Sequence, residues 1–362
     1  MRRPEGLGFR PAAGEVATIE RGVVAATALA GLLVAGLAPE RALAQEPGAA
    51  GPPATHMIVV TGLGGSPEFA DLFHTQASGL VQAARGRWGL AEAQVTWLAD
   101  DPARDPAIGG RSTREEIEGA LTALAARAAP NDAVLLVLIG HGTGQGAESK
   151  LNLPGPDVTG SDLAVWLGAF TTQTVAVVNT ASASGGFVAT LSAERRIVVT
   201  ATRSPGESER THFPGFFVEA FRDEGADTDK DGRVSLLEAF GYARTEVERY
   251  YERENQLLTE HALLDDDGDG EGSTEPSGAG GDGVLAGRFF LAASSPAVAG
   301  RAADSPQLRA LLEEKARIET GIAELRARRD EMTQEAYDAA LEALLVELAT
   351  VNRAIRALED GS

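Results

Sequence analysis

The residues best suited to bind an ion form one short acidic run. Asp227, Asp229 and Asp231 stand at alternate positions, Gly232 follows directly, and Glu238 closes the run. A hard cation such as Ca²⁺ takes its oxygen ligands from a loop that wraps around it, and the glycine permits the sharp turn that this wrapping needs. The spacing therefore predicts a calcium site, with Arg233 contributing its backbone carbonyl. The predicted ligands are Asp227, Asp229, Asp231, Arg233, Ser235 and Glu238.

The segment 227–238 resembles an EF-hand loop at each key position. The chain contains a single complete loop of this kind, which favours a structural ion over a calcium sensor. The alternative is a solvated acidic loop in which Asp231 or Ser235 merely caps the helix that follows.

A second acidic stretch repeats half of this pattern. Asp265, Asp267 and Asp269 again alternate and precede Gly270, but Pro276 takes the position of the final glutamate. The stretch is either an incomplete ion site or a flexible acidic turn.

Two segments that could form a catalytic centre each follow an apolar run. His141 and Gly142 follow the run 133–139, and Ser182 follows the run 174–178. Such runs are typical of buried parallel strands, whose carboxyl ends carry the functional groups of α/β proteins. This layout resembles the caspase/legumain clan of cysteine peptidases, in which one strand ends in His-Gly and the next in a turn that carries the nucleophilic cysteine.

The resemblance implies a role for each residue. His141 would be the general base, Ser182 would take the place of the cysteine, and the amides of Gly142 and Ser182 would form the oxyanion hole. A serine hydroxyl is far more basic than a thiol and needs a base oriented by a third residue. The candidates for that residue are Asp157, Asp162 and Glu207. Alternatively, Ser182 caps the next helix and His141 only supports the fold.

Neighbouring positions leave further alternatives. Ser184 is a second candidate nucleophile, although it matches a serine of the clan that does not attack the substrate. Arg203 and Glu207 follow the last predicted parallel strand, where the resemblance implies a pocket for a ligand side chain. The alternative is that both side chains are exposed to solvent and contact no ligand.

Apolar runs and helical periodicity alternate along the middle of the chain. Strands are predicted at 57–61, 94–98, 133–139, 174–178, 197–202 and 284–293, and helices at 68–87, 113–128, 161–169, 186–193, 214–224 and 236–255. The alternation predicts a mostly parallel sheet covered on both faces. The resemblance, which covers Thr55 to Ala293, implies the same fold class: α/β, with a caspase-like, mostly parallel sheet flanked by helices. This domain is placed at 56–295, with the loop 227–238 inserted.

The C-terminal segment 304–359 is predicted to be an α-helical hairpin of coiled-coil type. Apolar residues recur at helical spacing on both sides of a turn at 329–333. The hairpin would either dock on the α/β domain or pair with a second copy to form a homo-oligomer.

Composition and the N-terminal sequence bound the cellular context. An arginine-rich start precedes an apolar run over 22–38, which predicts a signal peptide, 1–44, and a linker, 45–55. A retained membrane anchor is the alternative. The sequence has 0 cysteines, which excludes disulfides and a thiol nucleophile, and its net charge of −21 argues against nucleic acid as a partner. We expect an exported protein, periplasmic or secreted.

These observations predict an exported, calcium-binding, caspase/legumain-like protein. Its expected role is that of a non-peptidase module that binds a peptide or protein at the cleft, or acts as a scaffold. One alternative is a serine-variant hydrolase that uses a Ser182–His141 dyad. Another is a purely structural assembly module formed through the hairpin.

Overall fold

The structure is a computed structural model and describes residues 53–145, 147–223, 225–229, 232–277, 281–291, 305–327 and 332–360. The predicted signal peptide, 1–44, the start of the linker and Asp231 of the predicted calcium loop lie outside these residues. Within the described ranges, no helix has both the length and the apolar character that crossing a bilayer requires.

A seven-stranded sheet lies at the centre of the α/β domain. Its strands are β1 (Thr55–Thr61), β2 (Val95–Ala99), β3 (Gly110–Arg111), β4 (Ala133–Ile139), β8 (Thr174–Asn179), β9 (Arg196–Thr200) and β10 (Leu263–Asp265). The order across the sheet is β10-β9-β8-β4-β1-β2-β3, and every neighbouring pair is parallel except β10 with β9. The five predicted parallel strands all form, so the predicted α/β class with a mostly parallel sheet is confirmed.

Helices cover both faces of the sheet, as the alternation predicts. They are α1 (Pro67–Gln82), α2 (Arg114–Ala125), α3 (Gly160–Leu167), α4 (Phe187–Leu191), α5 (Phe213–Arg222) and α6 (Leu236–Arg253). Met57 and Val59 of β1 face a core shared with α1, α5 and α6, whereas Ile58 and Val60 face a core shared with α2, α3 and α4. Because both faces are buried, the central strands are continuously apolar.

A small antiparallel sheet, which the sequence analysis did not predict, follows directly after His141. It consists of β5 (Gly142–Gln145), β6 (Glu148–Leu151) and β7 (Val158–Thr159). These strands have two to four residues each and few apolar ones, so they form no apolar run that would predict a strand.

The strand predicted at 284–293 is wrong. In its place, Ala286–Arg288 forms a 3-10 turn, and Phe290 makes an isolated antiparallel bridge with Ser235. Gly287 lies inside the predicted run, and glycine weakens a strand. The missing edge strand is supplied by β10.

The C-terminal hairpin consists of α7 (Pro306–Ala327) and α8 (Gln334–Asp360). Leu308, Ile318, Ile322, Val351 and Ile355 are buried in a cluster of their own, distinct from the two cores of the α/β domain. The predicted α-helical hairpin is therefore present.

Candidate functional site

The sheet places the two candidate catalytic residues at one edge. β4 and β8 are parallel neighbours, with Leu138 opposite Asn179. His141 follows β4 and Ser182 follows β8, so both lie just beyond the carboxyl ends of adjacent strands. The fold brings together the two segments that the sequence indicates.

Ser182 directs its hydroxyl at the backbone of Gly142. The Gly142 N–H donates to Ser182 Oγ at 3.2 Å, and the hydroxyl donates to the Gly142 carbonyl at 3.3 Å. The side chain is buried, with 3% of Ser182 exposed. The alternative role as a helix cap is wrong, because the helical turn that follows and α4 have Ala183 and Gly186 at their N-caps and neither has a side-chain cap bond. Ser182 instead links the two strand ends.

Gly142 has no room for a side chain. A Cβ at this position would lie 2.1 Å from the carbonyl oxygen of Ser182 and 3.0 Å from that of Lys150. Only glycine allows two backbones to approach this closely. The Gly142 amide, predicted to form part of an oxyanion hole, already donates to Ser182 Oγ. In this conformation it is occupied.

The backbone turns sharply after Ser182. Ala183 has a φ of 53°, in the left-handed region that residues other than glycine seldom adopt, and its N–H donates to the Glu207 carbonyl at 2.7 Å. Ser184 Oγ lies 3.2 Å from Thr202 Oγ1. The second candidate nucleophile therefore faces the end of the neighbouring strand β9.

His141 lies half-buried against two aromatic rings. Its imidazole meets Phe69 and Phe73 edge-on, with ring centroids 4.5 and 5.0 Å apart. Burial lowers the pKa of His141 below its ordinary value of 6.5, and a hydrogen bond to the Gly64 backbone acts in the opposite direction. The ring is thus neutral near pH 7. It makes no hydrogen bond to Ser182 among the described contacts.

The three acids proposed to orient His141 all bind other groups. Within the described part of the chain, none of them hydrogen-bonds to the imidazole, so the dyad lacks a third member. The partners of Asp157, Asp162 and Glu207 are the Leu153 amide, the Arg114 guanidinium and the His261 imidazole.

A cavity of about 270 Å³ opens beside the end of β9. Apolar side chains such as Phe213 and Leu258 form part of its wall. The titratable residues that line it are Arg203, Arg244, Glu248, Glu260, His261 and Glu275. Glu207 bonds both Arg203, at 3.0 Å, and His261, at 2.7 Å, and so holds two lining residues in place. The loop predicted to line a pocket does contribute Arg203 to one.

Sequence reasoning missed Glu260, the buried acid of this cavity. Its carboxylate accepts from the backbone N–H of His212, at 2.7 Å, and of Phe213, at 3.2 Å, at the start of α5. Burial raises the pKa of Glu260 to about 7, and these hydrogen bonds oppose the rise. No motif surrounds Glu260, so only its position in the fold makes it recognisable.

Three of the six predicted calcium ligands lie close together in the described part of the loop. Asp227, Asp229 and Glu238 each offer an oxygen, and these atoms lie within 4.8 Å of one another. Gly232 has a φ of 83°, and its N–H donates to Asp227 Oδ2 at 2.9 Å, which closes the turn. Asp231 lies outside the described residues. A set of carboxylate oxygens in one flexible loop is the donor set that Ca²⁺ prefers.

The end of the loop is held by a helix cap and by a distant segment. Ser235 caps α6 and forms a capping box with Glu238, whose Oε2 accepts from the Ser235 amide at 2.9 Å. The Arg233 guanidinium lies over the Phe290 ring at 3.9 Å, and the Leu236 amide donates to the Phe289 carbonyl at 2.9 Å. Ser235 therefore caps α6, as the alternative to a calcium site predicted. The carboxylates of Asp227, Asp229 and Glu238 nevertheless lie close together, as a calcium site requires.

No family model and no curated protein matches the chain. Solved structures similar to it include a structural-genomics target from Geobacter sulfurreducens, at 13% identity over 59% of this chain and 92% of that chain, with a TM-score of 0.37. The Drosophila initiator caspase Dronc matches at 10% identity over 59% and 78% of the two chains, with a TM-score of 0.38. The protein drICE matches at 8% identity over 55% and 85%, with a TM-score of 0.35. The fold class rests on the sheet topology described above.

Proposed function

We propose that the protein is an exported calcium-binding module of caspase/legumain-like architecture, which binds a peptide or protein segment at the edge of its sheet without hydrolysing it. The observation that carries this proposal is the state of Ser182. Its hydroxyl is buried and bonded in both directions to the Gly142 backbone.

Hydrolysis by Ser182 would require a different arrangement. A serine nucleophile needs a hydrogen bond to its base, an orienting third residue and free amides for the oxyanion. Here His141 has no described bond to Ser182, and the Gly142 amide is occupied. The neutral state of His141 does favour the competing serine-hydrolase hypothesis, because only a neutral imidazole can accept a proton.

The cavity beside β9 supports binding of a peptide or protein. It combines an apolar wall with side chains of both charges, Arg203 and Arg244 on one hand and Glu248 and Glu275 on the other. Such a surface suits an extended segment with an apolar anchor and polar flanks. The net charge of −21 leaves nucleic acid a poor partner.

Calcium would act as a structural ligand in this proposal. The loop 227–238 follows α5 and runs into the first turn of α6, so an ion there would hold the two helices together. Glu238→Gln is expected to weaken Ca²⁺ binding in isothermal titration by at least about tenfold, because the residue supplies ligand oxygens. Glu252→Gln, an exposed change on the same helix, is the matched control.

Export is proposed from the sequence, and self-association from the C-terminal hairpin. The order of basic, apolar and small residues in 1–44 supports export to the periplasm or the medium. The hairpin has its own apolar cluster and leaves Leu345 and Val346 exposed, which supports a homo-oligomer formed through it.

A serine-directed fluorophosphonate distinguishes the binding module from the hydrolase. The full chain, saturated with Ca²⁺, is treated with the probe and digested, and Ser182 is searched for an adduct by mass spectrometry. We expect no adduct in the wild type. An adduct on Ser182 that disappears in His141→Ala, in a variant that folds as the wild type does, would refute the proposal and establish a hydrolase.

A further inference from the structure

The second acidic loop has a geometry that the sequence alone leaves open. Asp265, Asp267 and Asp269 each offer an oxygen, and these atoms lie within 4.8 Å of one another. The chain turns at Gly268, between Asp267 and Asp269, and at Gly270, directly after Asp269, with φ angles of 85° and 79°. Three carboxylate oxygens this close to one another can share one hard cation.

Asp265 provides a separate indication of a ligand. It is the last residue of β10, is paired with Val198 of β9, and is 0% exposed. Its Oδ1 accepts from the Gly268 N–H at 3.3 Å, but its Oδ2 is buried and has no hydrogen-bond partner in the described structure. An unpaired buried carboxylate oxygen is costly, so a native protein normally supplies a donor or a cation.

The salt bridges that the structure describes do not supply that compensation. In the described ranges, no salt bridge to Lys, Arg or His involves Asp265, Asp267 or Asp269. More negative charge lies close by, because Asp282 Oδ1 accepts from the Asp266 amide at 2.9 Å. The loop therefore concentrates acid around a buried oxygen without a described counter-charge.

The neighbouring acid, Asp266, has a different task. Its two oxygens accept from the Gly283 amide at 2.8 Å and from the Ala286 amide at 2.7 Å. Asp266 thus fixes the segment 281–291 against the loop. Asp266 lies between Asp265 and Asp267 in the sequence, but it binds backbone amides and is not part of the cluster.

We propose that Asp265, Asp267 and Asp269 bind a divalent cation, Ca²⁺ by the chemistry of the ligands, at a site distinct from the loop 227–238. Hard carboxylate oxygens and no nitrogen or sulfur donor favour this class of ion. Pro276 replaces the final glutamate that gives two oxygens in a complete loop, so we expect weaker binding than at the first site. The proposal does not depend on what the cleft binds.

The number of Ca²⁺ ions bound to the full chain tests this inference. Equilibrium dialysis followed by elemental mass spectrometry should give two ions for the wild type. A first-loop variant, Asp229→Asn with Glu238→Gln, should retain one ion. Asp267→Asn should lose the weaker ion, with affinity at that site reduced at least about tenfold.

Matched controls keep the outcome interpretable. Glu271→Gln removes one charge from the same loop and keeps the backbone amide that donates to Asp269 Oδ1, so its affinity should stay within about twofold of the wild type. Asp265→Asn should act as Asp267→Asn does; because Asp265 is buried, circular dichroism checks its fold, and the exposed Asp267 decides the test if Asp265→Asn unfolds. The proposal is overturned if the first-loop variant binds no Ca²⁺, or if Asp267→Asn binds as many ions as Glu271→Gln.

Discussion

Glu260 should make the stability of the protein fall as the pH rises. Burial raises the pKa of this carboxyl from 4.5 to about 7. The folded state therefore holds the Glu260 proton more tightly than the unfolded state does, and ionisation costs the folded state free energy. The contribution is fully present below pH 4.5 and is lost as the pH rises through about 7.

The magnitude follows from the size of the shift. Each pKa unit corresponds to about 1.4 kcal/mol, so a rise from 4.5 to about 7 amounts to roughly 3 kcal/mol between the fully protonated and fully ionised limits. Glu260→Gln removes the titration while its Oε1 still accepts from the backbone amides at the start of α5. Between pH 5 and pH 8, the free energy of unfolding of the variant should rise by about 2 to 3 kcal/mol relative to that of the wild type.

Urea denaturation at a series of pH values measures this difference. The exposed Glu254→Gln serves as the control for losing one charge from the same region. If the free energies of unfolding of Glu260→Gln and the wild type stay a constant distance apart from pH 5 to pH 8, burial does not control the pKa of Glu260. If the variant instead becomes less stable relative to the wild type as the pH rises, the amide donors of His212 and Phe213 lower the pKa by more than burial raises it, and the reasoning is refuted.

Three further predictions concern the strand ends. Ser182→Ala should lower the free energy of unfolding by about 1 to 3 kcal/mol, because the buried Gly142 amide and carbonyl lose their partner; an unchanged denaturation midpoint would contradict this. Gly142→Ala should lower the free energy of unfolding by at least about 3 kcal/mol or prevent folding, because its Cβ would lie 2.1 Å from a carbonyl oxygen. The control, Gly119→Ala in α2, has open space around it and should stabilise the protein by about 0.5 to 1 kcal/mol. The NMR titration midpoint of His141 should lie below 6.5, and the contribution of His141 to stability should fall as the pH drops through 6.5, since the folded state resists its protonation; this contribution is opposite in sign to that of Glu260, so His141→Gln should gain stability relative to the wild type as the pH falls through that window.

The central sheet could be predicted because its physical cause is local. Strands buried on both faces must be apolar at every position, and runs such as 133–139 carry that signal alone. The positions of His141 and Ser182 follow from those runs and from parallel pairing. The convergence of Asp227, Asp229 and Glu238 likewise follows from spacing within one loop.

The remaining features depend on contacts between distant segments. β10 has three residues, and its pairing with β9 joins chain positions that no periodicity connects. The direction of the Ser182 hydroxyl depends on the left-handed conformation of Ala183 and on the close approach of Gly142. Glu260 is acidic in sequence, but its burial is set by the helices around it. These properties belong to packing and have no signature in a single sequence.

The segment 281–291 ties two acidic loops to each other. At one end, Asp282 and Gly283 bond to Asp266 of the second loop, and at the other, Phe290 pairs with Ser235 of the first. An ion bound in either loop would restrict this shared segment and so reduce the conformational entropy that the other loop loses on binding. Thermodynamic linkage then requires each ion to change the affinity for its counterpart by the same factor, so the two loops would fill cooperatively rather than independently.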